Sequence, residues 1–431
     1  MKSTVSQFRS YPRSVQLLMV NQFTINLGFY MLMPYLATYL AGPLGLAGWL
    51  VGLILGARNF SQQGMFLVGG TLADRLGYKP MIIAGLVLRT VGFATLGLVD
   101  SVPALIAASA ATGLAGALFN PASRAYLAVD AGERRVEAFA LFNVFYQAGI
   151  LLGPLVGMVL TGVDFRVTCL AAAGIFAVLS IVQVRALPAR RAAEAKGQTG
   201  EGVLAQWRSI LANRPFLLFS MAMIGSYVLS FQVYLALPLQ VRRLGGEGTF
   251  GTAAVAVLFA VSGLSTILFQ TRVTGWCKAR MEPGRALTWG LLAMGVAFVP
   301  LLAATAVPVP AGGAGLWLLA AVPSALSALL LALGTMAAYP FEMDTIVRLS
   351  GNRLVATHYG LYNTVCGIGI TLGNLLTGVA LDAARGAGMS ALPWLALTAL
   401  GLACTAALYG LHRSGRLDTP PAQARPEPVT V

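Results

Sequence analysis

Residues 69–81 read Gly69-Gly70-Thr71-Leu72-Ala73-Asp74-Arg75-Leu76-Gly77-Tyr78-Lys79-Pro80-Met81. This short charged turn joins two long apolar stretches, about 47–72 before it and 81–98 after it. Each is long enough to cross a bilayer as a helix, which takes roughly 20 apolar residues. The turn therefore sits at a membrane face, where Asp74, Arg75 and Lys79 are tolerated; deeper in they would be costly. Gly77 supplies a positive φ for the reversal, and Pro80 suits the first turn of the next helix.

Working outward, the rest of the chain agrees. Of its 431 residues 57% are hydrophobic and only 10% charged, with mean hydropathy +0.76. A soluble domain averages roughly 45–50% apolar and 25% charged, so a polytopic membrane protein is expected. The first apolar run is a full span behind Lys2, Arg9 and Arg13, so no cleaved leader is expected. The four cysteines, at 169, 277, 366 and 404, have no paired spacing, and neither disulfides nor a metal site is suggested.

Apolar runs bounded by Gly, Pro and charge recur about twelve times. They fall at 17–40, 47–71, 80–99, 103–127, 138–161, 167–187, 216–240, 250–270, 284–304, 316–341, 357–379 and 391–411. With the N-terminus in the cytoplasm, the outer turns hold only Arg166, Arg242, Arg243 and Arg385. Arg58 and Arg89 lie within spans, and the rest of the 29 Lys and Arg fall on inner turns and tails. That satisfies the positive-inside rule. The net charge of +14 therefore reports topology and contact with anionic lipid, not nucleic acid.

The longest polar break, 186–214, divides the chain. The expected organisation is a cytoplasmic N-tail (1–16), a six-helix bundle (17–187), a cytoplasmic central loop (188–215), a second six-helix bundle (216–411) and a disordered C-tail (412–431). The halves look like a weak repeat. Tyr30-Met31-Leu32-Met33-Pro34 echoes Tyr234-Leu235-Ala236-Leu237-Pro238. Gly149 and Gly153 echo Gly369 and Gly373. Pro121 with Arg124 echoes Pro340 with Glu342 and Asp344. Duplicated halves are an arrangement common among transporters.

The pattern G-x-L-A-D-R-x-G-x-K, Gly70 to Lys79, resembles the loop between helices 2 and 3 of the major facilitator superfamily. Gly149-Ile150-Leu151-Leu152-Gly153-Pro154-Leu155-Val156-Gly157 resembles the antiporter motif of its exporters, with Ala140 and Met158 where that motif has glycines. Ser109 stands where the exporter branch has an Arg linked to proton transfer. The stretch Gly56 to Gly64, with the turn and Arg89 to Ala94, is similar to MdtH-type bacterial multidrug exporters.

The resemblance implies an all-α fold: twelve transmembrane helices in two pseudo-symmetric six-helix bundles around a central cavity. It implies secondary export of small amphiphilic molecules or drugs by alternating access across the bacterial plasma membrane, coupled to protons. A metabolite importer or facilitator of the same superfamily is the alternative. A monomer in the lipid bilayer is expected, without cofactor or nucleic acid. No G-x-x-x-x-G-K-[ST] motif is present, so a gradient must drive it. His358 and His412 are far apart and no Cys/His or Ser/His/Asp set is apparent, which argues against an enzyme.

Site expectations follow. Gly70, Asp74, Arg75, Gly77, Lys79 and Asp130 would form the gate, with Asp74 capping helix 11 near Ala356 and Arg75 paired to Asp130. Cavity candidates are Asn26, Arg58, Gln62, Asn143, Tyr146, Gln147, Tyr227, Gln232 and Asn363. Arg58 reads equally as cavity lining or as a structural arginine bonded to its neighbours. By elimination the proton carrier falls among Asp74, Glu342 and Asp344, with Arg124 as the charge that meets the helix 10 acids across the pseudo-twofold axis.

Overall fold

The computed structural model describes residues 4–188, 202–245, 249–307 and 314–417. Among them there is no strand, and the chain makes twelve helical passages. Span 1 is Arg13–Tyr30 and Met33–Ala41, span 2 Gly48–Leu76, span 3 Tyr78–Leu98, span 4 Val102–Ala131, span 5 Arg135–Thr161 and span 6 Phe165–Ala186. Span 7 is Arg214–Ser230 and Ala236–Gly245, span 8 Thr249–Arg280, span 9 Pro283–Val296 and Val299–Ala304, span 10 Ala314–Leu349, span 11 Val355–Ala387 and span 12 Leu392–Arg413.

Among the described residues nine stretches are long and apolar enough to cross a membrane, and one of them, Val102–Thr161, holds spans 4 and 5 end to end. Spans 1 and 2 fall outside that set. Span 1 is interrupted at Met31 and Leu32, and span 2 carries Arg58, Asn59, Ser61, Gln62 and Gln63.

The repeat has a structural counterpart. Spans 1 and 7 both break just before a proline, Pro34 and Pro238, because a ring at those positions removes a helical donor. Gly149, Gly153 and Gly157 of span 5 lie against span 1: a Cβ added to them would come within 2.4 Å of the Phe23 carbonyl oxygen, 2.7 Å of the Tyr30 Cβ and 2.0 Å of the Met31 oxygen. Gly369 and Gly373 of span 11 take the same place against Ile224 and Val228 of span 7. Small residues here let helices approach at backbone distance, which is how membrane helices associate without a hydrophobic driving force.

Two boundaries differ from the expectation. The central break 188–215 contains a helix, Val203–Ala212. It is ten residues long, too short to span, so hydropathy alone passed over it. Its Trp207 donates to the Thr71 hydroxyl at 2.9 Å, and its Gln206 accepts from Arg75 at 3.2 Å, docking it on the end of span 2. The N-tail likewise holds a one-and-a-half-turn helix, Thr4–Arg9, and span 1 begins at Arg13. Of the polar positions read from sequence, Arg190, Arg191, Glu194, Lys196, Glu201, Glu247 and most of the C-tail lie outside the described residues.

Candidate functional site: a central cavity closed on one face

The face bearing the signature turn is where the two bundles meet. Gly77 adopts φ +98°, so the chain reverses within one residue. Span 11 starts after Leu354, whose side chain cannot cap a helix. Asp74 supplies the cap from across the seam. Its carboxylate accepts from the Ala356 N–H at 3.2 Å, the Thr357 N–H at 2.8 Å and the Thr357 hydroxyl at 2.7 Å. Negative charge is favoured at a helix N-terminus because the first N–H groups have no partner in the helix. Lys79 reaches the Val184 carbonyl at 2.8 Å and ties the turn to span 6. Asp130 accepts from Ser14.

Spans 2 and 11 run antiparallel from that cap inward. A Cβ on Gly70 would lie 2.2 Å from the Ala356 oxygen, and one on Gly360 would lie 2.4 Å from the Phe66 oxygen. Further in, the Thr364 hydroxyl donates to the Gln63 carbonyl at 3.2 Å, and Gly367 faces the Gln63 side chain. On the far half of span 2 the seam has ended: a Cβ on Gly48, Gly52 or Gly56 would meet nothing within 4 Å. The related seam joins spans 5 and 8. Lys278 pairs with Glu137 at 2.5 Å, Asn143 donates to Gln270 at 2.8 Å, and a Cβ on Gly263 would meet the Leu151 side chain at 3.5 Å. Arg135 at the start of span 5 pairs with Asp344 of span 10 at 2.8 Å.

Above these seams lies a cavity of about 260 Å³, lined from spans 1, 4, 5, 7, 8, 9 and 10. Its walls are aromatic and amphipathic: Tyr30, Tyr146, Tyr227, Tyr234, Tyr339 and Phe231. Asn143 and Gln147 add amide groups. Two ionisable groups of opposite sign complete it, Arg124 and Glu342. Pro121 and Pro340 lie within the same helices, three and two residues before them. Arg124 donates to Asn363 at 2.8 Å, and Glu342, 3% exposed, accepts from the Tyr362 hydroxyl at 2.5 Å. Such a surface suits a ligand with both an apolar ring system and a polar end.

Of the expected lining residues, Asn143, Tyr146, Gln147 and Tyr227 are in the wall. Asn363 stands behind it as the partner of Arg124. The other four are not in the wall. Asn26 donates back to the Gln22 carbonyl and packs under Gly149. Arg58 and Gln62 bond to each other at 3.0 Å, with the guanidinium 4.3 Å above the Phe29 ring. Gln232 is bonded to the Val228 carbonyl and to Asn374. Each of these side chains bonds within its own helix or to the next one, although the Arg58 Nε and the Gln232 side-chain oxygen are buried without a partner.

The expected meeting of Arg124 with the span 10 acids is corrected in part. Asp344 is turned to Arg135 and Arg348, at 2.8 and 3.3 Å, because it lies half a turn past Glu342 on the helix. Only Glu342 shares the cavity with Arg124. Sequence reading passed over Tyr30, Tyr234 and Tyr339 as lining residues, although each stands near a span's proline. It also passed over Gln270, which bonds Asn143 and the Met336 carbonyl, although a lone amide in an apolar span is a signal.

Comparison with known proteins agrees with this architecture. Residues 18–374 match the Major Facilitator Superfamily. An uncharacterised MFS-type transporter of Mycobacterium tuberculosis (strain H37Rv) is 52% identical over 412 residues, 96% of this chain and 95% of its own length. The multidrug resistance protein MdtH of Edwardsiella ictaluri is 29% identical over 395 residues, 91% of this chain and 92% of that protein. The crystal structure of the human organic anion transporter MFSD10 (TETRAN) superposes with TM-score 0.64 at 18% identity, covering 92% of this chain and 99% of that one, a likeness of fold. This chain is a membrane transporter, not an enzyme, and it belongs to the major facilitator superfamily.

Proposed function

We propose that the protein exports small amphiphilic molecules or drugs across the bacterial plasma membrane by alternating access, in exchange for protons. It acts as a monomer with both termini in the cytoplasm. On this topology the closed seams lie on the cytoplasmic side, and the structure corresponds to an outward-facing state. The similarity to MdtH, named for multidrug resistance, supports the substrate class. The observation that carries the reading is Glu342: a buried carboxyl in the wall of a tyrosine-rich cavity, beside Arg124 and at the junction of both bundles.

Glu342 is the proton carrier in this reading. Asp344 is held in a pair with two arginines, and Asp74 is occupied in capping span 11. When Glu342 is ionised it balances Arg124 and accepts from Tyr362. When it is protonated Arg124 is left unbalanced, and the cavity favours a different occupant. Binding of proton and of substrate are thereby opposed at one site. Gly70, Asp74, Arg75, Gly77, Lys79 and Asp130 serve as the gate on the cytoplasmic side.

Proteoliposomes with an imposed pH gradient and a panel of dyes test this. Wild type should concentrate dye against its gradient, whereas Glu342→Gln should only equilibrate it. Dye movement by wild type that ignores the pH gradient would contradict proton exchange. The importer or facilitator reading draws on the departures at Ser109, Ala140 and Met158, and the direction of dye movement separates it from export.

A further inference from the structure

Three arginines lie inside spans of the first bundle: Arg58 and Arg89 toward the middle of spans 2 and 3, and Arg124 seven residues before the end of span 4. Among the described residues of this bundle no carboxylate lies beside them. Asp74, Asp130, Glu133 and Glu137 stand at the signature-turn face, and Asp100 and Asp164 at the opposite face. Arg124 is balanced by Glu342 in the cavity. Among the described residues Arg58 and Arg89 have no counter-charge.

Their surroundings sharpen the imbalance. Arg89 is 6% exposed; its Nε has no hydrogen-bond partner, and its guanidinium lies 5.9 Å from the Phe176 ring. Arg58 donates to the Asn59 and Gln62 side-chain oxygens at 2.7 and 3.0 Å, and its Nε too is buried without a partner. Amide oxygens accept protons from a guanidinium but do not cancel its charge. An aromatic row connects the two cations. Arg58 sits 4.3 Å over Phe29, Phe29 meets Phe93 at 6.4 Å, and Phe93 meets Phe176 at 5.1 Å. Arg58 is within electrostatic reach of Arg89, and also of Tyr30 and Tyr146 in the cavity wall. Two like charges held together in a low-dielectric interior repel strongly, and unpaired buried charge is retained where something mobile neutralises it.

We infer that Arg58, backed by Arg89, binds a singly charged anionic group beside the central cavity: the carboxylate of a transported substrate or a small free anion. Arg58 presents the fork, which suits a planar carboxylate. Arg89 supplies a second positive charge from behind the aromatic row. The substrate arm of this inference rests on the transport reading above; the anion site itself does not.

Two measurements on the purified full-length protein test it. In the first, the thermal unfolding midpoint is followed while sodium benzoate or sodium chloride is titrated, with ionic strength held by a bulky sulfonate salt. Wild type and Arg58→Lys should show a saturable rise, and Arg58→Gln none. Should Arg58→Gln fail to fold, Arg89→Gln takes its place. A flat wild-type response to both anions, or a rise that survives in Arg58→Gln, would overturn the site. In the second, equilibrium dialysis compares a xanthene dye bearing a free carboxylate with its methyl ester. A preference of wild type for the acid of about tenfold, or about 1.4 kcal/mol, that vanishes in Arg58→Gln while ester binding persists assigns the site to substrate. Equal binding of the two dyes together with a chloride-induced rise assigns it to a free anion. Equal binding with no rise removes the proposal. If the acid dye binds with this preference yet is not moved in proteoliposomes, the transport reading fails and the anion site stands.

Discussion

The two seams that join the bundles occupy equivalent places in the repeat, yet they are built differently. Between spans 2 and 11 the contact is backbone on backbone. Gly70 faces the Ala356 carbonyl, Gly360 faces that of Phe66, and Asp74 bonds to the N–H groups of Ala356 and Thr357. Between spans 5 and 8 long side chains reach across: Lys278 to Glu137 near the surface and Asn143 to Gln270 in the interior. A seam of glycines and one buried cap has no slack, so it is either seated or parted. A seam of flexible side chains can lengthen before it breaks. In the proposed cycle the first acts as the latch and the second as a guide.

That contrast orders the expected effects. The largest comes from Gly70→Leu. Its side chain would meet backbone atoms, which cannot move aside as a side-chain tip can. Overpacking of this kind costs roughly 1–3 kcal/mol, occasionally more, and here it falls on the seated state alone. Transport should be abolished while each bundle keeps its fold, so helical content by circular dichroism should match wild type. Normal transport by Gly70→Leu would show that the seam has room.

Next is Gln270→Leu. It leaves the Asn143 amide without its partner in the interior and the Met336 carbonyl with only the Thr274 hydroxyl at 3.3 Å. A buried unsatisfied group costs about 1–3 kcal/mol. Because Asn143 is also a cavity residue, substrate affinity should fall along with stability, read by dye binding and thermal unfolding on the same sample. Asp74→Asn should cost less, about 1 kcal/mol, since one amide oxygen still caps span 11 while the charge and the second accepting oxygen are lost. Turnover should slow with substrate affinity unchanged; a loss of affinity at normal turnover would move Asp74 from gate to binding site. Smallest is Lys278→Met. The pair with Glu137 is 44% and 30% exposed at the two side chains, and exposed pairs contribute less than about 1 kcal/mol. Transport within error of wild type is expected, and a loss comparable to that in Asp74→Asn would erase the distinction between the seams.

The same contrast explains what could be read from sequence. Backbone contact demands glycine at fixed positions, so the latch leaves a motif, and Gly70, Asp74 and Gly77 were visible before any coordinates. The prolines of spans 1 and 7 were visible as a repeat, although both spans read as continuous and the breaks appear only in the structure. The guide seam leaves no such trace, because Gln270 and Lys278 are ordinary residues until a partner on another span is known. The cavity fell between these cases. Asn143, Tyr146, Gln147 and Tyr227 stood out as polar residues in apolar runs. Asn26 and Gln232 stood out equally and proved to be bonded within their own helices, a difference of helix rotation that the sequence does not encode. Asp344 and Glu342 are two residues apart, and helical geometry alone sent one to an ion pair and the other to the cavity.

The latch itself can be watched. Spin labels at Leu76, exposed at the end of span 2, and at Arg353, just before span 11, report the width of that seam. Their distance distribution, measured by pulsed electron resonance in lipid nanodiscs, should contain the seated distance and a longer one. The longer population should grow on adding dye and in the Asp74→Asn background. A single short distance under every condition, in a protein that still transports, would contradict the account.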